Sequence, residues 1–227
     1  MSAAELKILT EDKPILNYLK DGKLVGPSVD IVQEIMRRLK VKSLDIEVLP
    51  WARAYDRVQK EPNVGLFSTT RIEPREKLFK WVGPLASKDW IFLARKNSTI
   101  KINDIEDAKK VKNIGTYRED SKEQYLKSVG FKNLESVTED SLNPKKLVAG
   151  RIDLWVSAKT DYKLAVESEH LKLSDFKIVY TVRKQDLYIA ISKQTDDSLV
   201  HQWQSAYDAM AKDGTLAKIR SKYSDVD

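Results

Sequence analysis

Two hydrophobic periods alternate along this chain. Leu6 to Thr10 reads as a strand, Asp21-Gly22 as a turn, and Pro27-Ser28 opens a helix in which Val32, Ile35, Met36 and Leu39 recur at helical spacing. Arg37, Arg38 and Lys40 take the wet face of that helix. Ile46 to Leu49 is a second strand, Ala52 to Lys60 a second helix, and Val64 to Phe67 a short buried strand that runs into the polar loop Ser68-Thr69-Thr70-Arg71. A polar loop at the carboxyl end of a strand is where open α/β sheets bind ligands.

A second series follows. Asp89 to Arg95 is expected as a strand, Asn103 or Asp104 as the cap of a short helix, and Val111 to Gly115 as a strand. Ser121 and Gln124 have capping-box spacing and open a helix to Val129. A helix ends at Leu147 to Gly150, Ile152 to Val156 is a strand, Lys159 to Glu167 a helix, and Ile178 to Val182 and Leu187 to Ser192 are strands. Asp196 to Ala211 is a helix, Asp213-Gly214 a break, and Thr215 the cap of a last helix. Strands alternating with helices predict an α/β protein with largely parallel sheets.

The chain has 227 residues, room for one large domain or two small ones, and its 41% hydrophobic and 33% charged residues are ordinary for a globular protein. A net charge of +6 invites an anionic macromolecule, but Lys and Arg are interleaved with Asp and Glu throughout, so nucleic acid is not an expected partner. With no Cys there are no disulfides, thiolate metal sites or cysteine nucleophiles. The two histidines, His170 and His201, sit in polar contexts, which leaves metal binding and Ser-His catalysis without support. Met1 to Glu5 shows neither a basic nor an apolar leader region, a pattern shared by a chain without a targeting signal and by a mature secreted chain after leader removal.

Three ordered segments make the reading specific. The run Asp21-Gly22-Lys23-Leu24-Val25-Gly26-Pro27-Ser28-Val29-Asp30-Ile31, the loop Thr69-Thr70-Arg71-Ile72-Glu73-Pro74-Arg75-Glu76-Lys77, and the C-terminal Met210-Ala211-Lys212-Asp213-Gly214-Thr215-Leu216-Ala217-Lys218-Ile219 resemble those of solute-binding proteins of family 3. These are the periplasmic receptors of amino-acid ABC importers. The resemblance implies a two-lobed α/β fold, the type II periplasmic-binding-protein-like fold, each lobe a mostly parallel sheet flanked by helices. Lobe 1 would comprise residues 1–90 and 188–227 and lobe 2 residues 91–187, with hinges at Lys88 to Phe92 and Asp186 to Ile189. It also implies a periplasmic monomer without cofactor or catalytic residues, which binds a small solute, an amino acid or related carboxylate, in an interlobe cleft. Hinge closure would then present the protein to a membrane ABC permease.

The same resemblance names site residues. Arg75, five residues after Thr70, would clamp a carboxylate, with Ser68, Thr69 and Thr70 completing the cradle; a guanidinium meets both carboxylate oxygens at once. Arg71 faces either the pocket or solvent. Trp51 is an aromatic wall or a core residue, while Glu11, Pro14 and Tyr18 fall at ligand-touching positions of the loop after the first strand. From lobe 2 would come Tyr117, Arg118, Asp120, Ser121 and Ser157, with Arg118 alternatively a surface arginine, and Asp120 able to satisfy the helix N-terminus itself. Trp155 reads as core. The resembled receptors place an ammonium-holding aspartate where this chain has Ala158. A buried ammonium needs a counter-charge. Either Glu11, Asp120 or Asp161 supplies it, or the ligand is a carboxylate that is not an α-amino acid.

Two other functions share this fold. A dehydratase acting on prephenate-like acids would need a general acid or base, for which Glu11, Glu119 and Asp120 are the candidates. A sensor domain of a membrane receptor would bind the same kind of ligand without transport.

Overall fold

A computed structural model describes residues 5–223; residues 1–4, where the leader would have been looked for, and 224–227 lie outside the described residues. The chain forms two compact units. Unit 1 comprises residues up to Arg71, Arg75–Ser87 and those from Asp186 onward, and unit 2 comprises Ile72–Pro74 and Lys88–Gln185.

Unit 1 is built on strands β1 (Lys7–Thr10), β4 (Ile46–Val48) and β5 (Val64–Thr70), with a hairpin β2 (Tyr18–Lys20) and β3 (Lys23–Val25) beside them. β1 pairs in parallel with both β4 and β5, and β5 pairs antiparallel with the last strand, β10 (Phe176–Ser192). Successive residues of β1 point to opposite faces. Ile8 therefore joins Val29, Ile31, Val32, Ile35 and Met36 of helix α1 (Pro27–Arg38), with Trp203 and Met210 of α7 (Asp197–Lys212) and Ile219 of α8 (Thr215–Ser221). Leu9 faces Ala54 and Val58 of α2 (Trp51–Lys60) together with Leu66, Phe79 and Ala190. Each fully buried Val, Leu, Ile, Phe or Met side chain among these contributes about 1.5–3 kcal/mol.

Unit 2 repeats the plan. Strands β9 (Leu154–Ala158) and β7 (Ile114–Tyr117) run parallel, as do β7 and β8 (Leu134–Val137), while β6 (Phe79–Arg95) pairs antiparallel with β9. Phe92, Ala94, Leu154 and Val156 pack on one face with Ala108 of α3 (Ile105–Lys109) and Leu126 of α4 (Ser121–Ser128). Ile91, Leu93 and Trp155 pack on the other with Leu147 of α5 (Leu142–Val148) and Val166 of α6 (Asp161–Ser168). β6 and β10 are each 17 residues long and carry residues of both units.

Several local expectations are corrected. Ser68, Thr69 and Thr70 are the buried end of β5 rather than a loop. β6 begins at Phe79, ten residues before the expected strand, and the two strands expected over 178–182 and 187–192 are one. Both run on through polar, partly exposed residues, because ladder hydrogen bonds do not need an apolar run. β7 covers 114–117 rather than 111–115, and β2, β3 and β8 answer to no expected strand. The cap of α4 is Asp120 rather than Ser121: its carboxylate accepts from the Lys122 amide at 2.7 Å, and Gln124 Nε2 donates to the Glu119 carbonyl. The cap of α8 is Gly214, in the left-handed region, and Asp213 accepts from the Thr215 amide.

Candidate functional site

In unit 1 the parallel strands β1 and β5 end on one edge of the sheet, at Thr10 and Thr70. After Thr70 the chain makes a short 3-10 turn at Glu73–Arg75 that returns Arg75 to the strand end, where its Nη1 donates to the Thr70 carbonyl at 3.4 Å. Arg75 is 1% exposed. Its guanidinium stands 5.2 Å from the ring centre of Trp51 and 4.9 Å from that of Tyr55, and those two rings stack at 5.3 Å. Aromatic faces hold the planar cation while its edge donors stay directed along the plane. Trp51 opens α2 behind Pro50, and Tyr55 lies one turn on, so both rings share a face of the helix.

Arg71 belongs to a different cluster. It pairs with Glu76 at 2.6 Å and lies over the rings of Trp81 and Tyr188, with its pKa raised by the Glu76 hydrogen bond. It is half-exposed, so of the two arginines only Arg75 is sequestered at the strand end.

The loop after β1 is tied down by Asn17, a residue absent from the sequence reading. Asn17 is buried and donates through Nδ2 to Thr10 Oγ1 at 2.9 Å and to the Glu11 carbonyl at 2.6 Å, while Oδ1 accepts from Ser68 Oγ at 2.6 Å. Ser68 has φ +58°, a conformation that a serine holds only where its surroundings enforce it. Thr69 Oγ1 donates to the Leu66 carbonyl. Glu11 and Tyr18 are half-buried and Pro14 is exposed on the same loop.

In unit 2, β7 and β9 end on one edge, and antiparallel β6 enters there. Tyr117 is half-buried, Arg118 exposed, and Ser121 and Ser157 buried. The edge is dense in charge. Lys88 and Lys122 are each 6% exposed. Lys88 pairs with Asp161, whose Oδ1 also accepts from Thr160 Oγ1, and Lys122 Nζ stands 2.9 Å from Asp120 Oδ1. Asp140 Oδ1 accepts from Trp155 Nε1 at 3.0 Å and Asn143 Nδ2 at 2.9 Å. Burial works against the Lys122 ammonium, but Asp120, Asp140 and Asp161 outweigh it and raise its pKa; burial pushes the Asp140 carboxyl up. Ser157 Oγ is buried without a hydrogen-bond partner among the described residues.

Sequence reasoning missed Lys88 and Lys122. Only Lys122 carried a local signal, its place in the first turn of a helix behind an aspartate cap. Trp155 is fully buried, as read, and its indole N–H adds the tie to Asp140. Among the described residues no group of three or more His, Asp and Glu is placed to hold a metal ion, and no helix is long and apolar enough to cross a membrane.

Residues 6–226 match the family of bacterial extracellular solute-binding proteins, family 3. The chain belongs to that family. The probable amino-acid-binding protein YxeM of Bacillus subtilis (strain 168) is 24% identical over 224 residues, 92% of this chain and 80% of that protein. Two solved structures share the fold across nearly the whole chain. A histidine kinase sensor domain with similarity to periplasmic binding proteins superposes with a TM-score of 0.81 at 18% identity, covering 97% of both chains. An ancestral arginine-binding protein bound to arginine gives 0.76 at 25% identity, covering 99% of this chain and 100% of that one.

Proposed function

We propose that this family 3 protein is a substrate-binding receptor of the periplasm that captures a small polar solute through its carboxylate and hands it to an ABC permease. The observation that carries the reading is Arg75: a fully buried guanidinium at a strand end, held against the stacked Trp51 and Tyr55 rings beside the Thr70 carbonyl. A guanidinium held in place at a strand end is suited to meeting both oxygens of a carboxylate at once. Glu11, Pro14, Tyr18, Trp51, Ser68, Thr69 and Thr70 of unit 1 surround the solute in this reading, and Tyr117, Arg118, Asp120, Ser121 and Ser157 of unit 2 complete its enclosure. Hinge closure, about segments of β6 and β10, is the signal to the permease. YxeM is named as a probable amino-acid-binding protein and the ancestral protein is bound to arginine, which supports a solute of amino-acid size.

A sensor role is the second reading, favoured by the likeness to a histidine kinase sensor domain. The dehydratase reading loses ground because Asp120 caps α4 and pairs with Lys122, which leaves it poorly suited to exchange a proton with a substrate. Calorimetry on protein refolded free of copurified ligand tests the receptor reading. One solute per chain, no turnover, and loss of binding in Arg75→Ala are expected. Binding unaffected by that substitution would overturn it.

A further inference from the structure

Arg75 is one corner of a triangle of groups inside unit 1. Its guanidinium stands 4.9 Å from the ring centre of Tyr55 and 5.2 Å from that of Trp51, and the two rings lie 5.3 Å apart at 25° to one another. Each member therefore touches the other two. What holds the two rings differs. Trp51 is the first residue of α2, behind Pro50, and no side-chain hydrogen bond caps that helix start. Helix ends are where the backbone frays. Tyr55 lies one turn further in, beside Ala54 and one turn before Val58, both fully buried. Its ring also meets Phe79 edge-on, at 5.5 Å and 66°.

Phe79 ties this ring to the chain around the cation. It is 2% exposed, opens β6 and follows Arg75 by four residues, and between them the Leu78 amide donates to the Arg75 carbonyl at 3.0 Å. From Phe79 the ring contacts continue to Trp81 at 5.6 Å, and from Trp81 to Tyr188 of β10 at 6.0 Å. Tyr55 is thus the ring that joins the guanidinium to a row of aromatics carried by strands. A cation is drawn to any aromatic face, but its direction is fixed only where the ring itself is fixed. Meeting both oxygens of a carboxylate demands a fixed direction, because the donors of the fork are planar.

We propose that Tyr55 is a positioning residue of the solute site: its ring sets the plane of the Arg75 guanidinium and leaves Trp51 to cover the solute. This inference rests on the receptor reading above and adds to it a residue that acts through Arg75 rather than on the solute.

The test reads the arginine side chain directly. In isotope-labelled, ligand-free protein the Nε–H signal of Arg75, assigned by its loss in Arg75→Lys, is expected to be as ordered as rigid backbone, with an order parameter of about 0.85. Tyr55→Phe keeps the ring and is expected to keep that value. Tyr55→Leu is expected to drop it below about 0.6, and Trp51→Leu to lower it less. Backbone amide signals outside α2 that stay in place separate a released side chain from a loosened fold. Titration with L-arginine, L-glutamine and L-glutamate reads the consequence. For a probe that binds, Tyr55→Leu is expected to weaken binding about tenfold and Tyr55→Phe to leave it within about twofold. Where Tyr55→Leu does not fold, Tyr55→Met takes its place. An Arg75 signal as ordered in Tyr55→Leu as in the wild type overturns the inference, and so does order lost with probe affinity unchanged. Arg75→Ala that still binds the probe overturns the receptor reading instead. If none of the three probes binds, the order parameter alone decides whether Tyr55 positions Arg75.

Discussion

The guanidinium of Arg75 lies 5.2 Å from the centre of the Trp51 indole, so the residue proposed to cover the solute also holds the cation proposed to bind it. Tyr55 contributes a second face at 4.9 Å, and Trp51 Nε1 is buried without a hydrogen-bond partner among the described residues. A cation held this way keeps its orientation before any ligand arrives. Arg75→Ala is expected to weaken solute binding by about a hundredfold or more, the equivalent of roughly 3 kcal/mol for a charge-assisted pair. Arg75→Lys keeps the charge but loses the planar fork, and a loss of about tenfold is expected. Trp51→Ala falls between the two in this scheme, while Trp51→Phe, with a smaller face, stays near wild type. Titration calorimetry orders the four proteins, and an Arg75→Lys variant equal to Arg75→Ala would show that geometry, not charge, sets the affinity.

Gly26 joins the first helix to the site loop. It sits at φ +129° as the N-cap of α1, and a Cβ there would stand 2.3 Å from the carbonyl oxygen of Leu16, which accepts from the Ser28 amide. Backbone on both sides leaves nothing flexible to move. Gly26→Ala is expected to cost about 2–4 kcal/mol, combining the left-handed strain with the steric clash. Chemical denaturation measures this directly. Gly22, whose added Cβ would meet nothing within 4 Å, is the control, and its alanine variant should lose only the smaller cost of its positive φ.

Asp140 gives a pH dependence with a definite sign. Burial raises its pKa above the ordinary 3.8, against the pull of Lys122, so the folded chain holds this proton to higher pH than the unfolded chain does. Below 3.8 both states are protonated and the group contributes nothing. As pH rises from there through the folded pKa, the unfolded state binds fewer protons and stability falls, the penalty being complete above the folded value. Asp140→Asn keeps a side-chain oxygen for the Trp155 N–H and removes the titration. Its melting temperature is expected to match wild type in strong acid and to exceed it near pH 7. A variant less stable than wild type at neutral pH would mean that attraction to Lys122 outweighs burial.

The sequence made some of this legible and hid the rest for physical reasons. Arg75 stands out through its five-residue offset from Thr70, and the fold returns its guanidinium to the Thr70 carbonyl. The α1 core positions are equally plain, because Val32, Ile35 and Met36 keep the helical period and all three are buried. The polar middle of β10 broke its pattern: Arg183 and Lys184 fall between the two strands expected there and Asp186 opens the expected hinge, and only strand pairing makes them part of one element. Lys88 and Asp161 lie 73 residues apart, and neither differs in local sequence from a solvated lysine or a helix-opening aspartate. Pairings set by topology leave no local trace. That is why Asp161 reads as an open candidate for a ligand amine, although the fold gives it Lys88; the Asp120–Lys122 pair, by contrast, is local to the first turn of α4.

The network around Asn17 yields the last prediction. One side chain ties Thr10 at the end of β1, the Glu11 carbonyl in the loop, and Ser68 on β5, whose backbone is held at φ +58°. Removing it leaves the buried Ser68 and Thr10 hydroxyls without that partner and frees Ser68 to relax toward negative φ. Asn17→Ala is therefore expected to cost about 2–3 kcal/mol in stability, from the two side-chain hydrogen bonds that end on buried hydroxyls. Its effect on binding should exceed what a uniform loosening would give, because Ser68 and Glu11 both belong to the proposed solute contacts. Asn17→Asp separates the two roles: it retains an acceptor for Ser68 Oγ but loses the donor to Thr10 and Glu11, and it adds a negative charge near Arg75's end of the sheet. If register alone mattered, Asn17→Asp would bind better than Asn17→Ala; if an anion competes with the solute for this edge, it would bind worse at equal stability. Paired denaturation and titration curves for the two variants distinguish these outcomes, and the competitive result is the one expected for a carboxylate solute.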